Sequence, residues 1–249
     1  MNEKNYEFLK EQLTKTGFGD KLHIELANKL SEQPDKFTLS LETKYDKDST
    51  LSTLHFSKGS QSDMYFFNRY EMQLKTDQGE ELKRQLFYVN KVGTVTQKEG
   101  YNLLNGRSVY KELSTKEGER YHAWMQLDLK NADEKGNYAM QKFNDNYGFD
   151  LKGELSKFGA LGVIDPKQNE RIEKSLQKGN LLEVLLGDLA EKAVIYLAAD
   201  PAYKSIKITD QKGDRLRLDE LSKLVPKVEL KESQKQKQSQ KQNQKQQIA

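Results

Sequence analysis

Few residues in this chain could carry covalent chemistry, and their spacing settles most cases. Asp46-Lys47-Asp48-Ser49-Thr50 has the Asp-x-Asp-x-Thr spacing in which one carboxylate can attack phosphorus and the next can shuttle a proton. That chemistry needs a buried apolar strand to deliver the first Asp. Glu42, Thr43, Lys44 and Tyr45 precede it instead, so the string reads as a polar hairpin turn. His23, His55 and His122 match no zinc signature, and without any Cys the chain has neither a thiol nucleophile nor a thiolate ligand. Gly17-Phe18-Gly19 lacks the third Gly of a dinucleotide fingerprint, and neither a Gly-x-Ser-x-Gly elbow nor a Walker-type loop is present. The oxygen-rich string Asn144-Asp145-Asn146-Tyr147-Gly148-Phe149-Asp150 fails as a calcium loop, because a frame begun at Asn144 puts Leu155 where a bidentate Glu belongs. It reads as a turn and N-cap. The sequence thus points to no catalytic residue, metal ligand or cofactor.

Side chains suited to recognition are easier to find. In Met64-Tyr65-Phe66-Phe67-Asn68-Arg69-Tyr70 a regular strand would set Tyr65, Phe67 and Arg69 on the face opposite Met64, Phe66 and Tyr70. An aromatic-plus-Arg strand face can stack the bases of a single strand, and the competing reading is that protein covers both faces. His122 and Trp124 share a strand face turned from the core, where an exposed Trp would anchor a partner. Packing beneath a loop or helix is the alternative for that Trp. In the C-terminal tail Lys235, Lys237, Lys241 and Lys245 alternate with Gln and offer salt-sensitive contact to an acidic surface or nucleic acid, against the plainer reading of a solubilising tail.

The charge distribution bears on these options. The 249 residues hold 41 Lys plus Arg against 38 Asp plus Glu, a net charge of +3. Six Lys and two Glu lie from Pro226 onward, so the remaining chain carries 35 basic and 36 acidic residues and sums to −1. A near-neutral body weakens a general polyanion-binding reading, since neutralising phosphates normally leaves a basic footprint. The N-terminal Met1-Asn2-Glu3-Lys4-Asn5-Tyr6 lacks the order of a signal peptide, and no apolar run approaches the ~18 residues of a membrane span. A cytoplasmic protein without membrane attachment is expected.

The elements that must position these residues follow from periodicity. Tyr6, Leu9 and Leu13, then Leu22, Leu26 and Leu30, trace apolar stripes on two short helices separated at Gly17-Phe18-Gly19-Asp20 and closed by Pro34. From 37 to 90 the period drops to 2, which predicts a four-stranded antiparallel meander with the helices on its apolar face. Its breaks are 46–49, 58–60 and 76–79. Thr96-Gln97-Lys98-Glu99 forms a capping-box string for a helix ending at Asn105-Gly106, followed by strands over 107–113, 121–129 and 138–143. A helix is expected over 151–158. Asp165-Pro166 then opens a helix ended by Gly179, with strands over 181–186, 193–199 and 203–209 and a turn at 187–191. The shared order suggests two divergent helix-plus-three-strand units, although the matching Leu and Gly anchors also arise by chance. Segment 233–247 has eight Gln and four Lys and no apolar residue, which predicts disorder.

Three strings, at 62–70, 101–109 and 144–151, together resemble an uncharacterised group of Bacteroidetes proteins often encoded in conjugative or other mobile elements and built around domains of unknown function. The likeness spans most of residues 1–210. It implies a bacterial cytoplasmic accessory protein and brings no catalytic residues.

The expected fold is α+β: a helical pair with an antiparallel meander (1–95), one or two smaller helix-plus-hairpin units (96–163 and 164–224) and a disordered tail (225–249). The leading functional expectation is a non-enzymatic interaction protein of a mobile element that binds a protein or single-stranded nucleic acid through exposed strand faces. A metal-dependent nuclease or phosphodiesterase with carboxylates converging only in three dimensions is the rival, and a passive structural module the third option. Oligomeric state leaves no mark in the sequence.

Overall fold

The computed structural model describes residues 2–76, 83–186 and 193–224. The tail at 225–249 with its four lysines, and residues 77–82 and 187–192, on which most of the turn read at 76–79 and all of the turn read at 187–191 fall, lie outside the described residues. The chain is α+β, and among the described residues the strands form three antiparallel sheets.

Helices α1 (Glu3–Lys15) and α2 (His23–Glu32) bury Leu9, Leu13, Leu26 and Leu30 against strands β1 (Lys36–Tyr45), β2 (Asp48–Lys58), β3 (Tyr65–Lys75) and β4 (Lys83–Tyr88), which pair in sequence order. Asp46-Lys47 is the hairpin between β1 and β2, with Asp46 at φ +53°, as the polar-turn reading requires. Helix α3 (Gln97–Leu104) starts at the full capping box of Thr96 and Glu99. After it, β5 (Val109–Ser114), β6 (Arg120–Ala132) and β7 (Tyr138–Asn144) make the second sheet. Helix α4 (Leu151–Ala160) is capped by Asp150, and a 3-10 turn at Pro166–Gln168 precedes α5 (Asn169–Gln177) where a direct helix start was expected. The third sheet holds β8 (Leu182–Leu186), β9 (Ala193–Asp200), β10 (Ser205–Asp210) and the two-residue β11 (Arg215–Leu216), before α6 (Leu218–Leu224). The strand expected from 203 starts two residues later because Pro201–Tyr203 forms a 3-10 turn, and β11 was not foreseen.

Two apolar cores result, and the second sheet is a wall common to both. Val109, Leu113, Ala123, Met125 and Leu127 face the first core, under α1 to α3. On the reverse face Trp124, Tyr110 and Phe143 pack into the second core with α4, α5 and the third sheet. A polar joint fastens the units. Fully buried Asn102 donates to the Lys178 carbonyl at 2.7 Å and accepts from Arg107 Nη2 at 2.6 Å, while Arg107 Nε donates to the Gly179 carbonyl at 2.9 Å. The C-terminal carbonyls beyond α5 thereby gain charged and amide donors, as helix ends favour.

Candidate functional site

A β-bulge alters the strand face on which the sequence expectation rested. Phe56 pairs with Phe67 while the next residue along, His55, pairs with Arg69, so Asn68 is an extra residue in β3. An inserted residue reverses the in-out alternation on one side of it. Tyr65 and Phe67 consequently fall on the same side as Tyr70, Met72 and Leu74, at 2% and 3% exposure. The expectation that Tyr65, Phe67 and Arg69 share an open face is corrected: the two aromatics are core. Phe67 stacks on Phe56 at 5.1 Å, Phe37 on Phe56 at 4.7 Å, and Tyr65 tilts against Phe37 at 5.5 Å. The Tyr65 hydroxyl donates to the Pro34 carbonyl at 2.7 Å, and buried Asn5 bonds both the N–H and the carbonyl of Tyr65, which ties α1 to β3.

Arg69 does stand on the outer face, and different aromatics join it. Phe66 is 45% exposed and Tyr88, directly across from Arg69 on β4, is 59% exposed. On the other side Arg69 lies across from His55, whose pKa is lowered by burial and then by the Arg69 charge, with Glu71 opposing. Asn68 donates to the Ser57 hydroxyl at 2.6 Å and fixes the bulge. A shallow depression of about 520 Å³ runs over Lys36, Thr38, His55, Ser57, Asn68 and Arg69. Alternation along the strands puts Lys36, Lys44, Lys75 and Arg84 on this outer face with Arg69, against Glu42 and Glu71. The body's near-zero sum therefore hides a locally basic sheet face. Arg69 makes no ion pair among the described residues.

The other expected pair divides. His122 is exposed and its ring stacks on Tyr110 at 5.5 Å. Trp124 is 5% exposed beneath Phe149, at 5.3 Å, so it is a packing residue and not the exposed anchor. The second core covers the strand face that the sequence left open, which is why this expectation is corrected. Among the described residues no three His, Asp or Glu side chains come together in a way that could hold a metal ion.

Sequence reasoning missed Phe66 and Tyr88. Tyr88 carried a signal, as the terminal residue of an alternating strand ahead of a polar loop. Phe66 carried none, because the bulge sets its side and no Gly marks the bulge. No protein family, curated protein or solved structure matches the chain.

Proposed function

We propose that this chain is a non-enzymatic binding protein that holds single-stranded nucleic acid on the outer face of its first sheet, as an accessory of a bacterial mobile element. The observation that carries this reading is the face itself: Arg69 flanked by exposed Phe66 and Tyr88 on an open, locally basic antiparallel sheet. Flat rings and a guanidinium stack bases without reading sequence, and the surrounding Lys and Arg side chains offset phosphate charge. The accessory role rests on the resemblance to the mobile-element group. A protein partner on the same face is favoured by Leu51, which is 42% exposed there.

Labelled oligonucleotide binding tests the proposal over a salt series, with the full chain, a truncation after Leu224, and the triple variant Phe66→Ala, Arg69→Ala, Tyr88→Ala. The truncation should keep most of the affinity and the triple variant should lose it. Arg69→Ala alone should flatten the log–log salt slope by about 0.7, the loss of one phosphate contact on a single strand. Full affinity in the triple variant, or loss of binding in the truncation alone, overturns the reading.

A further inference from the structure

A second concavity lies far along the chain from that face and shares no residue with it. The residues just after α3, Asn105-Gly106-Arg107, together with Gln126 of β6, form one wall of a cleft of about 290 Å³. The face of β9, β10 and β11 turned away from the second core forms the other. That size is at the small end of ligand sites. Ala198 lines it between Tyr196 and Asp200 on the same strand face, and its short side chain keeps the concavity open.

The groups around this cleft are complementary in kind. Lys207, across from Ala198 on β10, and Arg215 on β11 are exposed cations. Tyr203 is 72% exposed, held out by the 3-10 turn with Lys204 at φ +51°, and the Arg215 guanidinium lies over its ring at 5.2 Å. Asp200 is mostly buried. Its Oδ2 accepts from Arg215 at 3.3 Å, and no hydrogen bond among the described residues reaches Oδ1. Burial raises the Asp200 pKa, and the charges of Arg215 and Lys207 oppose that shift. Arg107 is already spent on the joint with Gly179 and Asn102, so it is wall rather than ligand.

We propose that this cleft binds a terminal phosphoribosyl group, with the phosphate at Lys207 and at the Arg215 N–H groups not turned to Asp200, ribose hydroxyls donating to Asp200, and the base lying on the Tyr203 face opposite Arg215. A carboxylate is the fitting acceptor for a ribose hydroxyl, two cations suit a phosphate monoester, and an exposed ring suits any base. Two sources share the phosphate and the base, a free nucleoside monophosphate and the 5′-phosphorylated end of a strand. Only the free nucleotide also offers Asp200 a vicinal diol, because the 3′-oxygen of a strand's first nucleotide is esterified. The inference does not depend on the sheet-face reading.

Calorimetric titration of the full chain with AMP, ribose 5-phosphate, adenosine, inorganic phosphate and a short oligonucleotide with or without a 5′-phosphate tests it. AMP should bind, adenosine should bind at least tenfold more weakly, and ribose 5-phosphate should fall about tenfold below AMP for want of stacking. Tyr203→Ala should bring AMP down to the ribose 5-phosphate level. Asp200→Asn should weaken AMP relative to inorganic phosphate, since it removes the ribose acceptor while releasing Arg215 to the phosphate, and the exposed substitution Lys207→Gln should weaken both. A 5′-phosphate preference in the oligonucleotide identifies a strand end as a second source, and its absence identifies the free nucleotide. The proposal is overturned if AMP fails to bind, if adenosine matches AMP, or if AMP binding survives Lys207→Gln and Tyr203→Ala. AMP binding lost only in Arg69→Ala also overturns it, by assigning the ligand to the first sheet.

Discussion

At the scale of single residues, burial of phenols dominates the electrostatics. Tyr45, stacked on Tyr101 at 4.1 Å, and Tyr110 are both pushed up to about 12, in each case chiefly by burial. Beyond burial, Tyr101 adds to the shift at Tyr45 and the bond to Asp145 adds to it at Tyr110. Tyr65, Tyr70 and Tyr101 are raised as well, and Tyr70 lies fully buried with its hydroxyl donating to the Val95 carbonyl at 2.8 Å. A raised folded-state pKa means that the unfolded chain releases its proton first, so the native state binds more protons above the ordinary value of 10.0. Stability is thus complete below pH 10.0 and falls as the pH climbs towards about 12. Denaturant midpoints measured across that interval, beside tyrosinate absorbance, should show this decline; a flat midpoint would contradict the buried settings. None of these environments was visible in the sequence, because a Tyr in an alternating strand looks the same whether its ring meets solvent or a second layer.

At the scale of elements, the helix-end signals at Thr96, Gly106 and Gly179 were read correctly, whereas the helix start at Asp165-Pro166 and the strand start at 203 were not, because a 3-10 turn occupies each place. The capping box at Thr96 and Glu99 is present because both partners lie within one turn, and the helix stops at Gly106 and Gly179 are left-handed, at φ +74° and +75°. The bulge at Asn68 escaped because adjacent Phe66 and Phe67 satisfy either alternation, and only pairing with β2 decides which is inside. The two stop glycines have matching backbone angles and unequal surroundings. A Cβ at Gly106 would meet Leu129 at 3.5 Å, ordinary contact, whereas at Gly179 it would meet the Ser108 carbonyl at 2.9 Å and Asn102 Cβ at 3.1 Å. Gly106→Ala should therefore cost about 1 kcal/mol, the left-handed penalty alone. Gly179→Ala should cost about 2 kcal/mol or more, since it also forces the joint apart. Equal losses in thermal or denaturant unfolding would show that the joint yields freely.

At the scale of the whole molecule, the α+β class and the strand order of the first meander followed from periodicity, while the stacking of units did not. Sequence spacing says nothing about which reverse face a later segment covers, and this is why Trp124 was expected at the surface. The middle sheet contributes Met125 and Leu127 to one core and Trp124 to the other from a single strand. Neither core can open without disturbing β6. Unfolding followed by fluorescence of Trp124, the only Trp, should therefore coincide with unfolding followed by far-ultraviolet circular dichroism, and two separated transitions would refute the coupling. The same wall also orders events during synthesis. The residues of the first core lie between Tyr6 and Met140, and those of the second extend to Leu221. A chain emerging from the ribosome can close its first core while the third sheet is still untranslated, and during that interval Trp124 and Tyr110 stand uncovered, a sticky surface that a nascent-chain chaperone would meet before α4 arrives.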